Sequence, residues 1–84
     1  MNHFASPAFW AHYRALPGDI QVLADKAFVH LKTDARHPSL RFKKIDSYVS
    51  VRVGLFYRAL GVEVKDSVIW FWIGTHAEYD KLIG

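Results

Sequence analysis

Hydrophobic residues recur at helical spacing through the first third of the chain. Ser6 followed by Pro7 is a helix-start signal, with serine as the N-cap and proline at the first helical position. An apolar side then continues to Pro17 and Gly18, where the first helix is expected to end. A second helix is predicted to begin at or near Asp19, and its apolar positions are Ile20, Leu23, Ala24, Ala27, Phe28 and Leu31. The pattern therefore predicts a helical hairpin.

From residue 40 onward the pattern becomes typical of β-strands. A loop is expected at residues 33–39, because His37 precedes Pro38 and such a residue is biased away from the helical conformation. Strands are predicted at residues 40–45, 48–53, 56–62 and 68–73, and residues 2–5 could add another. The turns between the four strands are too short for parallel crossovers, so the pairing must be largely antiparallel.

These elements together predict an α+β fold. The helical hairpin packs on one face of a small twisted sheet of about four strands, and a short C-terminal helix follows the last strand. Two helices can cover only one face of such a sheet. The other face must be solvated, closed by the last helix or covered by a partner.

The strand at residues 68–73 is too apolar to be solvated on either face. Strict alternation predicts Trp70 and Trp72 on one face, with Ile69, Phe71 and Ile73 on the other. The default interpretation of these side chains is a hydrophobic core.

The length of the loop after residue 53 decides how two arginines are arranged. A loop of residues 54–56 sets Arg52 opposite Arg58 on one face of the sheet. A loop of residues 54–55 sets Arg52 opposite Tyr57 instead, and the arginines no longer meet. The residues leave both registers open, although two facing arginines repel each other unless an anion binds between them.

Composition narrows the class of protein. The 84 residues favour one domain spanning residues 1–84, and the absence of cysteine excludes disulfides, cysteine-based zinc sites and thiol nucleophiles. No apolar run is long enough to span a membrane and no signal peptide is visible, so a cytoplasmic location is expected. The net charge of +3 permits a polyanionic partner without requiring one. No metal or cofactor motif is present, so neither is expected.

Five features follow one another in a fixed order along the chain. The first is the helical hairpin. The other four are the segments His37-Pro38-Ser39-Leu40-Arg41-Phe42-Lys43-Lys44, Ser50-Val51-Arg52-Val53, Tyr57-Arg58-Ala59-Leu60 and Ile73-Gly74-Thr75-His76-Ala77-Glu78-Tyr79-Asp80. In this order they resemble the RelE/ParE superfamily of bacterial toxins, and the resemblance covers nearly the whole chain from Leu16 onward.

The resemblance implies the toxin of a toxin–antitoxin system, neutralised by a cognate antitoxin protein. It leaves open whether the chain is an enzyme. RelE-like members are endoribonucleases that cleave mRNA on the ribosome without metal, which inhibits translation and arrests growth. ParE-like members act on DNA gyrase by binding, and a third possibility is a catalytically degenerate binding module. The tryptophans of the last strand could form part of an antitoxin-binding surface.

Metal-free cleavage through the ribose 2′-hydroxyl needs proton transfer and stabilisation of the phosphorane charge. His76 is the candidate general acid or base, because imidazole titrates near neutrality and the resemblance implies a catalytic residue there. Arg58, and Arg52 if it shares that face, are the candidates for stabilising the phosphorane. Tyr79 is expected to orient the substrate.

Each of these residues also has a structural interpretation. His76 could cap or brace the last helix, which Tyr79 could anchor to the sheet. Arg58 could be a surface arginine paired with an acid such as Glu63. A helix is expected to point Glu78 and Asp80 away from His76.

The only basic cluster consists of Arg41, Lys43 and Lys44, which are candidates for binding the RNA backbone. Alternation in a strand would send Arg41 and Lys43 to one face and Lys44 to the other, so only one set can line a site. The alternative is a solvated edge strand whose lysines oppose aggregation. His37, in the preceding loop, is interpreted as part of a structural turn.

Overall fold

The computed structural model describes residues 2–84. Three helices are present in that range: α1 at Pro7–Arg14, α2 at Gly18–Thr33 and α3 at His76–Ile83. The predicted start of α1 is confirmed, since the Ser6 hydroxyl accepts a hydrogen bond from the Phe9 amide at 3.3 Å. None of these helices is long and apolar enough to cross a membrane.

A five-stranded sheet accounts for the rest of the regular structure. Its strands are β1 at Asn2–Ala5, β2 at Lys43–Ile45, β3 at Tyr48–Val53, β4 at Tyr57–Val64 and β5 at Ser67–Thr75. The order across the sheet is β1-β5-β4-β3-β2, and all neighbours are antiparallel except β1 and β5. The α+β prediction is confirmed, with β1 as the additional strand.

The predicted strand at residues 40–45 is wrong in its first half. Pro38–Leu40 form a turn of 3-10 helix instead, and Arg41 adopts a left-handed backbone conformation with φ of 46°. Leu40 is buried in this turn against the sheet. The chain therefore enters the sheet only at Lys43, which leaves β2 with three residues.

The main core lies between the helical hairpin and one face of the sheet, which we call the helix face. Ala24 and Leu31 of α2 pack there against the three valines of β3 and against Val68 and Trp70 of β5. Predicted alternation in β3 is confirmed, because Val49, Val51 and Val53 are all buried on this face.

A β-bulge in β5 overturns the predicted arrangement of the last strand. Leu60 pairs with Trp72 but the next residue, Gly61, pairs with Trp70, so Phe71 is an extra residue in β5. The bulge shifts the alternation, and Trp70 and Ile73 both join the main core. Trp72 instead shares the opposite face with its partner Leu60. The prediction that Trp70 and Trp72 share a face is therefore wrong.

The opposite face of the sheet, which we call the open face, is covered at one end only. Tyr79 of α3 packs onto it, together with the buried residues Ser50, Arg58 and Leu60. This small second core positions the candidate site.

Candidate functional site

Arg58 lies on β4 with its side chain buried beneath α3. The residue is only 4% exposed, and its guanidinium carbon lies 5.0 Å from the centre of the Tyr79 ring. One terminal nitrogen, Nη2, donates hydrogen bonds to the Ser50 hydroxyl at 2.9 Å and to the Arg41 carbonyl at 3.1 Å. The left-handed turn at Arg41 thus directs a carbonyl oxygen into the site.

Ser50 links the arginine to the terminal helix. Its hydroxyl accepts a hydrogen bond from the Tyr79 hydroxyl at 2.9 Å as well as the one from Arg58. Tyr79 is itself only 2% exposed, so the expectation that it anchors the last helix to the sheet agrees with its contacts. Ser50, Arg58 and Tyr79 form one buried polar network.

The guanidinium of Arg58 is incompletely satisfied within residues 2–84. Its Nε atom is buried and has no hydrogen-bond partner there. Burial lowers the pKa of the Arg58 guanidinium from its ordinary value, while the nearby Tyr79 hydroxyl acts in the opposite direction. Charge without a matching carboxylate is costly to bury, and such a group is a candidate anion-binding site.

The residues left the pairing register of β3 and β4 undecided, and the structure has the longer loop, at residues 54–56. Arg52 pairs directly with Arg58, so the two arginines share the open face as the longer loop predicts. The Arg52 Nε donates to the Gly54 carbonyl at 3.0 Å, and its side chain is only half-buried. Arg52 is therefore the more accessible of the two guanidinium groups.

His76 is the first residue of α3 and lies at the edge of this network. Thr75 forms the N-cap of the helix, and Glu78 completes a capping box with it. The His76 backbone amide donates to the Phe56 carbonyl at 2.7 Å, which ties the helix to the β3–β4 loop. Its imidazole is half-exposed, and the ring centre lies 6.1 Å from that of Tyr79.

Asp80 is the partner of His76, contrary to the expectation that the helix would point it away. The Asp80 carboxylate lies 3.3 Å from His76 Nδ1, because residues four apart share one face of a helix. Glu78, as expected, points elsewhere. A carboxylate near Nδ1 favours a proton on that nitrogen, which leaves Nε2 available for proton transfer.

The basic cluster divides between the two faces of the sheet. Lys43 pairs with Ser50 and shares the open face with Arg58. Lys44 pairs with Val49 on the helix face and forms a 2.8 Å ion pair with Glu63. The alternative in which Glu63 pairs with Arg58 is therefore wrong, and Lys44 lies away from the site.

Comparison with known families decides the broader classification. Residues 19–81 match the ParE-like toxin domain family, which is three quarters of the chain. The chain belongs to this family. No match was found among curated protein sequences.

Three solved structures have the fold of this toxin domain. A chain of the RelB–RelE antitoxin–toxin complex from Methanococcus jannaschii has 17% identity and a TM-score of 0.69, over 96% of this chain and 99% of that one. The isolated E. coli RelE toxin has 13% identity and a TM-score of 0.65, over 99% and 98%. The YoeB/ParE toxin from Agrobacterium tumefaciens has 10% identity and a TM-score of 0.68, over 90% and 99%.

Ser50 was not among the predicted site residues, and Asp80 was expected to point away from His76. In the structure Ser50 connects Arg58 to Tyr79, and the Asp80 carboxylate lies 3.3 Å from His76 Nδ1. The signal for Ser50 was present, since alternation predicts it on the face of Arg52 beside a strand of valines. The signal for Asp80 was its spacing of four residues from His76.

Metal-ligating side chains do not gather in the part of the toxin domain that the structure describes. No group of three or more histidine, aspartate or glutamate side chains lies close enough there to hold an ion. The chemistry available to the described cluster is that of two guanidinium groups, one imidazole with its carboxylate, and one phenol.

Proposed function

We propose that this toxin domain, acting over residues 1–84 as one unit, is a metal-free endoribonuclease that cleaves mRNA on the ribosome and so inhibits translation. The ribose 2′-hydroxyl attacks the adjacent phosphorus, and the bond to the 5′-oxygen of the next nucleotide breaks. The 2′-hydroxyl loses its proton and the leaving 5′-oxygen gains one. The products are a 2′,3′-cyclic phosphate and a 5′-hydroxyl.

The observation that carries this proposal is the pair of arginines on the open face. Arg52 and Arg58 lie directly opposite each other, and neither forms an ion pair with a carboxylate within residues 2–84. Like charges paired across strands destabilise a sheet unless an anion lies between or beside them. A phosphorane, which gains charge in the transition state, is such an anion and suits planar guanidinium donors.

The two arginines have different roles because they differ in accessibility. Arg52 is half-buried and can contact the phosphate directly. Arg58 lies under the Tyr79 ring, so it stabilises the developing charge from below and reaches the phosphate only when the ring moves aside. Tyr79 thereby orients both the arginine and the substrate.

His76 supplies the proton transfer. It serves as general base toward the 2′-hydroxyl or as general acid toward the 5′-oxygen, with Asp80 holding the ring by its Nδ1 atom. Lys43, exposed on the same face, binds the RNA backbone. The proposed target lies in the cytoplasm.

The proposed partner is an antitoxin protein, as in the RelB–RelE structure, which is an antitoxin–toxin complex. The supporting observation is a row of apolar residues across the uncovered end of the open face. The row consists of one residue from each of four neighbouring strands. Ile45 pairs with Tyr48, Tyr48 with Val62, and Val62 with Ile69. We call them the uncovered row. It spans roughly 15 Å at the usual strand spacing, which suits about ten residues of an apolar helix face.

The test is mapping of mRNA ends by primer extension after induction in bacteria. Wild-type protein is expected to produce cuts that require ribosomes, whereas His76→Ala and Arg58→Met lose them. His12→Ala and Arg14→Ala, two exposed positions on α1, are matched controls that keep the cuts.

Two outcomes contradict the nuclease proposal. Growth arrest without mRNA cuts, but with DNA breaks trapped on gyrase, favours the ParE-like activity by binding. The absence of both growth arrest and mRNA cleavage favours a degenerate binding module.

A further inference from the structure

A groove runs along the edge of the sheet between α2, the Pro38–Leu40 turn and the β3–β4 loop. It encloses about 540 Å³. Lys26 and His30 line it from α2, Arg41 from the turn, and Arg52 from the end of β3. Leu40 and Leu55 contribute apolar surface between these polar groups.

The groove exists because β2 is short. Among the described residues β2 pairs only with Tyr48, Val49 and Ser50, so the outer edge of β3 beyond Ser50 has no neighbouring strand. Arg41, in its left-handed backbone conformation, joins the Pro38–Leu40 turn to the segment that enters β2. A cleft opens where a longer β2 would have paired.

The wall opposite β3 is braced by two stacked imidazoles. The ring centres of His30 and His37 lie 4.0 Å apart, which joins α2 to the turn. His37 Nδ1 accepts a hydrogen bond from the Ser39 amide at 3.2 Å and lies 2.7 Å from the Ser39 hydroxyl. These contacts agree with the interpretation of His37 as a structural residue beside the groove.

Positive charge in the groove has no counterpart. Lys26, Arg41 and Arg52 all line it, and no aspartate or glutamate does. Both salt bridges within residues 2–84, Lys44–Glu63 and His76–Asp80, lie outside the lining. Several cations converging on one cleft raise the local concentration of anions.

The groove is continuous with the arginine pair. Arg52 belongs to both, and the carbonyl of Arg41 accepts a hydrogen bond from Arg58. A polyanion that occupies the Arg52–Arg58 site can therefore continue into the groove without leaving positively charged surface.

We propose that this groove binds the phosphodiester backbone of single-stranded RNA next to the cleaved bond, with Lys26 contacting a phosphate remote from the reaction. The proposal rests on the proposed function, since it places the same RNA strand in both sites. The apolar patches between the cations suit the ribose and base edges of a single strand. An acidic peptide would satisfy the charges too, but it would not connect to a site built for phosphate.

The test uses fluorescence anisotropy with a short, labelled oligoribonucleotide whose 2′-hydroxyls are methylated to prevent cleavage. Lys26→Ala is expected to weaken RNA binding roughly 3- to 10-fold. The slope of the logarithm of the binding constant against the logarithm of the salt concentration should become shallower by about 0.7, because one phosphate contact is lost. Lys32→Ala is the matched control. Lys32 is an exposed lysine on the same helix that lies over the Phe28 ring, outside the groove.

Two results overturn the proposal. One is Lys26→Ala binding RNA as the wild type does, with an unchanged salt slope. The other is Lys26→Ala weakening binding of a polyglutamate peptide while RNA binding is unchanged. Cleavage mapping keeps the two proposals separate. If Arg58→Met loses cleavage but Lys26→Ala keeps the RNA affinity of wild type, the groove proposal alone is overturned. If RNA binding depends on Lys26 but the wild type cleaves no mRNA, the nuclease proposal alone is overturned.

Discussion

At the scale of single residues, Arg58 is the group whose environment most needs explanation. It carries its charge into a buried position where its hydrogen-bond partners are a serine hydroxyl and a backbone carbonyl. Because burial lowers its pKa, the charged guanidinium is less favourable in the folded chain than in the unfolded one at neutral pH. A side chain retained at such a cost is a functional candidate.

Replacing Arg58 by methionine should separate function from stability. The apolar side chain of similar length fills the space without a buried charge, so the free energy of unfolding should stay within about 1 kcal/mol of wild type or rise. Urea unfolding at neutral pH measures this. A decrease of more than about 3 kcal/mol in the free energy of unfolding would show that the guanidinium stabilises the fold rather than serving function.

At the scale of elements, α3 depends on its first turn. The helix spans only His76–Ile83, and Tyr79 is its single buried residue. The Thr75 hydroxyl accepts from the Glu78 amide at 3.2 Å, and the Glu78 carboxylate accepts from the Thr75 amide at 3.0 Å. The cap therefore keeps Tyr79 over Arg58 and His76 at the helix start.

Thr75→Ala should lower the free energy of unfolding by about 1 kcal/mol, because an N-cap hydroxyl is lost. Thr75→Ser retains the hydroxyl and should stay near wild type. Urea unfolding followed by tryptophan fluorescence checks both. Equal stability of the alanine and serine variants would contradict the assigned cap.

The same cap predicts a pH dependence. Hydrogen bonds from Thr75 lower the pKa of Glu78 below its ordinary value of 4.5. The carboxylate therefore stabilises the fold above pH 4.5, and this contribution is lost as the pH falls through the lowered pKa. Glu78→Gln keeps the capping geometry but cannot titrate. Its unfolding free energy should vary less than that of wild type below pH 4.5 in a series of urea titrations.

The bulge between β4 and β5 requires glycine at position 61. A Cβ atom there would lie 2.8 Å from Val68 Cγ1 and 2.9 Å from Trp70 Cε3. Gly61→Ala should therefore cost about 1–3 kcal/mol by overpacking. Gly18→Ala is the matched control, since a Cβ there meets no atom within 4 Å, and it should leave stability unchanged or slightly raised. Equal unfolding midpoints for the two variants would contradict this account.

At the scale of the whole molecule, the three helices cover the sheet unequally. The helical hairpin covers the helix face, and α3 covers only the Arg58 end of the open face. Ile45 and Tyr48 of the uncovered row are 42% and 48% exposed. Exposed apolar residues that adjoin one another mark a candidate protein-binding site, which suits the proposed antitoxin.

Tyr48→Lys should weaken binding of the antitoxin at least 10-fold in calorimetry, because a charge enters the apolar row. It should also reduce the fluorescence of a hydrophobic dye bound to the isolated toxin domain. Val22→Lys is the control, because Val22 is similarly exposed, at 54%, on α2 and outside the row. If the two substitutions changed the affinity for the antitoxin equally, the assignment of the row as its contact surface would be contradicted.

Much of the fold is encoded by local patterns. Ser6 and Pro7 start α1, the alternation of residues 48–53 gives β3 its two faces, and short turns enforce antiparallel pairing. The prediction of a strand over residues 40–45 was wrong at Leu40. Its side chain is buried in a turn of 3-10 helix, although the residues that follow have a strand-like pattern. Local preference is weak against such a non-local contact.

Local residue patterns are enough to define the helical hairpin, the mainly antiparallel sheet and the residue types available for chemistry. The folded chain was needed to show that Arg52 faces Arg58, that Phe71 bulges and separates Trp70 from Trp72, and that Lys43 lies with the arginines while Lys44 does not. One cause underlies all three cases. Strand register and side-chain burial depend on partners distant in the chain, and a shift of one residue moves a side chain to the other face of the sheet.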